Sequence, residues 1–353
     1  MGWWHKIIGA LTGGGDAPTA AHDDASARAG GVATAVEPSE GSNDSGADAE
    51  AARWWAPKEG AVTELPPAIQ PELTHEARAF ENLLISNFDG HNLSLPPMPG
   101  TLERVLQNLR DPKCEFGKVA GIIGEDQANA AAVLRMVNSP LYRGTVEITS
   151  LKMAITRLGT KALKTLMMHQ ALRKSTFGGR SALRPVAEVI WKRSLASAYI
   201  MRGLSQFTRT DMDDAFLIGL LHDVGNVIVL RAAQDAHQAG HLEIDMETFE
   251  YFCYEFQQEF GELIAVAWSL PGSLKDIIVD HHDYPPDDHS LRTERIQLLL
   301  TDMINAMVGY GPRANLDLMN SRAVRDLGLR DRGDFAAYLD DLPDGLYELV
   351  ESV

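Results

Sequence analysis

The chain has 353 residues, 45% of them hydrophobic, and a formal net charge of −17. That length and apolar content suit one large domain or two small ones around a sizeable core, while the acidity excludes long-range attraction of the whole molecule to a nucleic-acid backbone. The two cysteines, Cys114 and Cys253, form no C-x-x-C pair, so neither a disulfide framework nor a zinc ribbon is expected.

At the N-terminus Trp3, Trp4, Ile7, Ile8 and Leu11 share one helical face, and Gly13, Gly14 and Gly15 end the pattern. This very short amphipathic helix predicts at most weak contact with a membrane surface. From Thr12 to about Gly60 the chain carries nine acidic residues against three Lys or Arg and is rich in Ala, Gly and Ser. Such a stretch buries too little apolar surface to offset its ordering entropy, which predicts a disordered acidic tether over 1–71. The Trp54-Trp55 pair within it reads as a chance repeat of Trp3-Trp4.

Ordered structure is expected from Glu72. Thr74 to Ile85 reads as a helix, and Leu95-Pro96-Pro97-Met98-Pro99 as a rigid extended lead-in. Helical patterns follow at 101–110, 115–124, 128–138, 150–157 and 160–174. Gly178-Gly179 and Pro185 mark a hinge. Further helices are predicted near 186–207, 211–221, 224–233, 246–269, 273–281 and 291–308. Alternating strand patterns with hairpin turns do not occur, so the fold class is all-α. The expected domain spans 72–310 in two packed halves, 90–177 and 186–308, followed by a helical extension over 311–353. No apolar run reaches the ~20 residues of a transmembrane helix, the N-terminus lacks the pattern of a secretory signal, and a cytoplasmic protein is expected.

Two stretches bear on chemistry. In Val133-Leu134-Arg135-Met136-Val137-Asn138-Ser139-Pro140, the short polar side chains of Asn138 and Ser139 sit where a helix should end and Pro140 stops it. Ser150 is placed to cap the next helix, and Gly159 allows a turn before Lys161. This is helix punctuation. In Leu217-Ile218-Gly219-Leu220-Leu221-His222-Asp223-Val224-Gly225, an adjacent imidazole and carboxylate end an apolar helix. Adjacent residues reach one metal ion only at such a terminus or bend, although a lone His-Asp pair is more often a cap and a surface group. Its company strengthens it: His281-His282 forms a second dyad after a helix, and Asp302 lies inside an apolar helix, where a carboxylate needs a partner.

The order Leu95-Pro-Pro-Met-Pro, Asn138-Ser139, His222-Asp223, Trp268-Ser-Leu-Pro271 and His281-His282 resembles the HDOD family over residues 90–310. That family is related to the HD phosphohydrolases and the HD-GYP cyclic di-GMP phosphodiesterases. The resemblance implies a helical bacterial signalling module, generally without catalysis, linked to cyclic di-GMP responses and motility. It also implies structural roles for Asn138, Ser139, Trp268 and Pro271, and makes Asp302 the late metal ligand of an active relative. The upstream histidine ligand, however, falls at Arg193, and another histidine common in relatives falls at Gln257. No Gly-Tyr-Pro signature follows His281-His282. A guanidinium cannot ligate a metal, so the resemblance implies a degenerate site made of His222, Asp223, Asp302, Arg193 and Gln257.

Three further expectations follow. No cofactor and no metal are expected; a residual hydrolase would use His222, Asp223 and Asp302 as ligands of a divalent metal and His281 or His282 as ligand or proton donor. Arg193 should reach Asp223, and with it Asp302, in place of the metal. Between Lys152 and Arg209 lie twelve Lys or Arg and one acid, Glu188, so Lys161, Lys164 and Lys174 form a candidate surface for a nucleotide second messenger or an acidic partner, unless they pair with acids elsewhere. The Ser150–Met168 stretch has the outline of a helix-turn-helix, but with this acidity DNA is not an expected ligand. A signalling protein partner is.

Overall fold

The apolar periodicity resolves into helices from end to end in a computed structural model, which describes residues 53–68, 70–89, 98–111, 113–176, 183–240 and 245–352. Residues 1–52, Leu95-Pro96-Pro97 and Gly178-Gly179 lie outside the described residues, and with them the expected terminal helix, most of the expected tether and the hinge glycines. The helices are α1 (His75–Asp89), α2 (Gly100–Leu109), α3 (Phe116–Gly124), α4 (Gln127–Asn138), α5 (Leu151–Thr176), α6 (Arg184–Thr208), α7 (Met212–Leu221), α8 (Asn226–Gln238), α9 (Met246–Ala267), α10 (Gly272–Val279), α11 (Arg292–Val308), α12 (Arg322–Asp326) and α13 (Gly333–Ser352). Among the described residues there is no named strand, only one isolated bridge between Val62 and Leu316.

Short polar residues start several of these helices. Asp126, Asp211 and Asp245 cap α4, α7 and α9 by accepting from backbone N–H groups of the first turn, which satisfies donors that a helix start leaves free. Gly159 has φ 77° and breaks α5 into two stretches, a left-handed backbone position that glycine occupies without a Cβ penalty.

The N-terminal half is a bundle in which α2, α3 and α4 pack on α5, and α5 meets the second half through α7 and α8. In that second half α6 is the central post, packed by α7, α11 and α13. The fully buried phenylalanines Phe216, Phe249, Phe252 and Phe260 fill the second half. Burying one such side chain contributes about 2–3 kcal/mol. Phe80 meets the Phe252 ring edge-on at 5.5 Å and ties α1 to α9. The stretch Met212–Gln238 is long and apolar enough to cross a bilayer by composition, with mean hydropathy 1.5, yet its apolar window is 89% buried inside the fold.

Two expected boundaries are corrected. Order begins by Arg53, well before Glu72. Trp55 is buried, its indole N–H donates to Asp340 at 2.9 Å, and that of Trp54 donates to the Leu339 carbonyl at 2.7 Å. Two bulky apolar rings with partners in α13 overcome the acidic composition around them. The domain also does not stop at 310: Phe335, Leu339, Leu342, Leu346 and Leu349 of α13 are buried in the same core.

Candidate functional site

The centre is built where α7 ends. Gly219 lets α7 lie directly on the Ser197–Ala198 backbone of α6, and Gly225 sits under the Gln257 carbonyl of α9; a Cβ at either place would overlap backbone. Between these two contacts the chain turns tightly, with the N–H of Asn226 bonded to the Asp223 carbonyl at 3.0 Å. The turn drives His222 and Asp223, 1% and 6% exposed, into the interior.

Around them the structure brings together most of the predicted residues. His222 Nε2 stands 3.3 Å from Asp223 Oδ1 and 3.7 Å from Asp302 Oδ1. His281 Nε2 stands 3.5 Å from Asp223 Oδ1. Arg193, on α6, places Nε 3.4 Å from Asp223 Oδ2 and Nη2 3.8 Å from Asp302 Oδ1. Arg193 therefore reaches both carboxylates. Gln257 is buried, and its side-chain N–H donates to His282 Nε2.

Both inner imidazoles are oriented by backbone. His222 Nδ1 lies 3.0 Å from the Gly219 carbonyl, and His281 Nδ1 lies 3.0 Å from the Ile278 carbonyl. A carbonyl only accepts, so each Nδ1 carries a hydrogen and each Nε2 points at Asp223. Burial works against charging His222, but the Asp223 and Asp302 carboxylates outweigh it and push its pKa up to about 10. Conversely, burial raises Asp223, yet His222 and Arg193 hold its carboxyl well below the usual range, and Asp302 shifts the same way. Burial, with a smaller contribution from His281, takes His282 down to about 4, so it stays neutral near pH 7.

A divalent metal is the group the site's resemblance implies. His222, Asp223 and His281 offer three donor atoms within 4.8 Å of one another. The remaining residues do not complete a fit. The fourth ligand of an active relative, Asp302, faces the His222 ring and the Arg193 guanidinium. A cation bridging Asp223 and Asp302 would sit against that guanidinium, whose charge is permanent.

Sequence reasoning missed several participants. Arg295 is 1% exposed, pairs with Asp280 Oδ2 at 2.7 Å and donates to the Asp280 and Asp283 carbonyls, which clamps the turn carrying His281 and His282. Its signal was a buried polar series on α11: Arg295, Asp302 and Asn305 recur at helical spacing among apolar residues. Asn226, Glu250 and the Leu65-Pro66-Pro67 segment, which line a cavity over Asp223, had no distinguishing local pattern.

The other predicted residues lie elsewhere. Asn138 donates to the Leu134 and Ile148 carbonyls at 3.0 and 2.8 Å and accepts from Ile148 N–H at 2.9 Å, while Ser139 donates to the Met136 carbonyl at 2.6 Å. Trp268 is buried at the end of α9, and Pro271 starts α10. Lys161 pairs with Asp211 and Asp214 at 3.4 and 3.1 Å, and Lys174 with Asp126 at 3.1 Å. Lys164 is half-buried on the same helix. Two of the three lysines thus meet acids of the fold itself.

Comparison with known proteins agrees with this architecture. A curated relative from Treponema pallidum (strain Nichols), described as an uncharacterised protein, is 21% identical over 201 residues, which take in 54% of this chain and 38% of the relative. The chain thus spans well under two thirds of the length of the curated relative it matches. Among solved structures, a candidate metal-dependent phosphohydrolase from Shewanella amazonensis SB2B superposes with a TM-score of 0.62 at 20% identity, covering 79% of this chain and 98% of that one. An HDOD domain protein of unknown function from Geobacter sulfurreducens gives 0.54 at 22% identity, with 78% and 97% covered. A candidate signal transduction protein from Marinobacter aquaeolei VT8 gives 0.54 at 20% identity, with 80% and 67% covered. At these identities the likeness establishes the fold. The HDOD domain model matches residues 95–284, more than half of the chain, and the protein belongs to the HDOD family.

Proposed function

We propose that this chain is a non-catalytic signalling module that works by binding a partner, with a hydrolase-type centre in which fixed charge replaces the metal. One observation carries the reading: Arg193 lies within 3.4 Å of Asp223 and 3.8 Å of Asp302. With His222 carrying a second proton, two cations face two carboxylates, and the centre is neutral without an added ion. Buried carboxylates left without such partners cost several kcal/mol each. The family and the signal transduction protein among its structural neighbours support the regulatory half of the proposal. A narrower link to cyclic di-GMP or motility draws on the family alone.

A residual phosphohydrolase is the second reading, favoured by the three donor atoms that converge on one point. Metal content separates the two. Elemental analysis of the purified full chain should find no stoichiometric divalent metal, and Arg193→His should create a site that retains one manganese or zinc ion per chain through gel filtration. A tightly held ion in the unsubstituted protein, with turnover of a phosphodiester that a chelator abolishes, would overturn the proposal.

A further inference from the structure

A cavity of about 660 Å³ opens directly over the Arg193 centre, within the size range of small-molecule sites. Its hydrogen-bonding inventory is lopsided. Asn226 Oδ1 and Gln257 Oε1 are buried acceptors without a hydrogen-bond donor, and both residues line the cavity. Asn226 and Gln257 are 5% and 3% exposed. Buried acceptors are normally satisfied, so two amide carbonyls without donors mark a place where something that donates should sit.

The walls carry the same sign. Glu64, Glu247, Glu250 and Asp283 face the cavity, and no ion pair involves any of them among the described residues. Of the three lining arginines, Arg193 is taken by Asp223 and Asp302. Arg322 lies 3.7 Å over the Tyr284 ring and pairs with Asp326 at 3.8 Å. Arg313 alone is uncommitted and exposed. Tyr251 and Tyr254 add aromatic rings, which attract organic cations. A phosphate-bearing ligand would meet excess negative charge and unpaired acceptors at once.

We propose that this cavity binds a small alkylammonium compound, a diamine or polyamine, with its ammonium group donating to the Asn226 and Gln257 oxygens and balanced by Glu250. This names the ligand class of the signalling module and rests on the metal-free reading of the centre. It assigns the family's nucleotide chemistry no place in this cavity.

The test is calorimetric titration of the full chain, its metal content measured on the same sample, with spermidine as the cation and GMP as an anionic comparator. Spermidine should bind saturably at one site per chain, and GMP should give no binding heat. Glu250→Gln should weaken spermidine about tenfold, as loss of one charge-assisted hydrogen bond does. Exposed Asp276→Asn on α10 should change nothing. Should Glu250→Gln fail to fold, Glu247→Gln at the cavity wall gives the same comparison. Absence of saturable binding, equal weakening by Asp276→Asn, or GMP binding in competition with spermidine would overturn the assignment. A stoichiometric metal in the sample would instead overturn the reading of the centre on which it rests.

Discussion

Two corners of this molecule use similar parts to opposite ends. At the end of α4, one amide, Asn138, makes three hydrogen bonds and closes the loop from Ser139 to Ile148 upon itself. Beside the end of α7, the amides Asn226 and, from α9, Gln257 leave their carbonyls without a donor. Both are buried turns at helix ends. The first is a finished structural joint, and every polar atom of the amide is satisfied by the backbone it holds. The second is an unfinished one, and in a folded protein unfinished polar groups point to what the site receives. The short polar motif is therefore equally visible in both places, but only the pairing around it separates scaffold from site.

The contrast can be broken by substitution. Arg193→Ala should have the largest effect, because it strands Asp223 and Asp302. We expect a loss of about 3 kcal/mol in urea-induced unfolding, at the lower end for a broken buried pair, since the Arg193 side chain is 28% exposed. A neutral result would show that water or His222 alone holds the carboxylates. Asn138→Ala comes next. It removes three hydrogen bonds and leaves the Ile148 N–H and two carbonyls unpaired, which should cost about 2 kcal/mol. A midpoint unchanged in the same denaturation curve would remove the joint from the argument. Gln257→Leu should do least, about 1 kcal/mol, because it removes one hydrogen bond, to His282, together with an acceptor that has no donor. A loss as large as that for Asn138→Ala would mean that the Gln257 carbonyl has a partner in solution and that the two corners are alike.

Helices and the chemistry of the His-Asp turn were legible because both are local. A 3.6-residue apolar period and a Pro after Asn138-Ser139 can be read within a few residues of each other, whereas the Arg in a ligand's place is legible only through the family resemblance. The position of Arg193 is informative because its charge has a definite consequence next to carboxylates, wherever the chain brings them. What escaped the sequence is non-local. Trp54 and Trp55 meet Leu339 and Asp340, 285 residues away, and composition around them argued for disorder. Arg295 gains its role only from carbonyl partners at Asp280 and Asp283, in the turn before its own helix. The basic stretch left a free surface and pairing with acids elsewhere both open, and the second holds for Lys161 and Lys174, which meet Asp211, Asp214 and Asp126 of other elements.

The pairing of Val62 with Asn315 and Asp317, at 3.0 and 2.8 Å, together with the two indoles seated on α13, sets the beginning and the end of the folded body side by side. A pull applied between these two ends would load that seam in shear before it strained the helical core. The same short arm also carries Leu65-Pro66-Pro67, so one segment supplies both the seam and a wall of the central chamber.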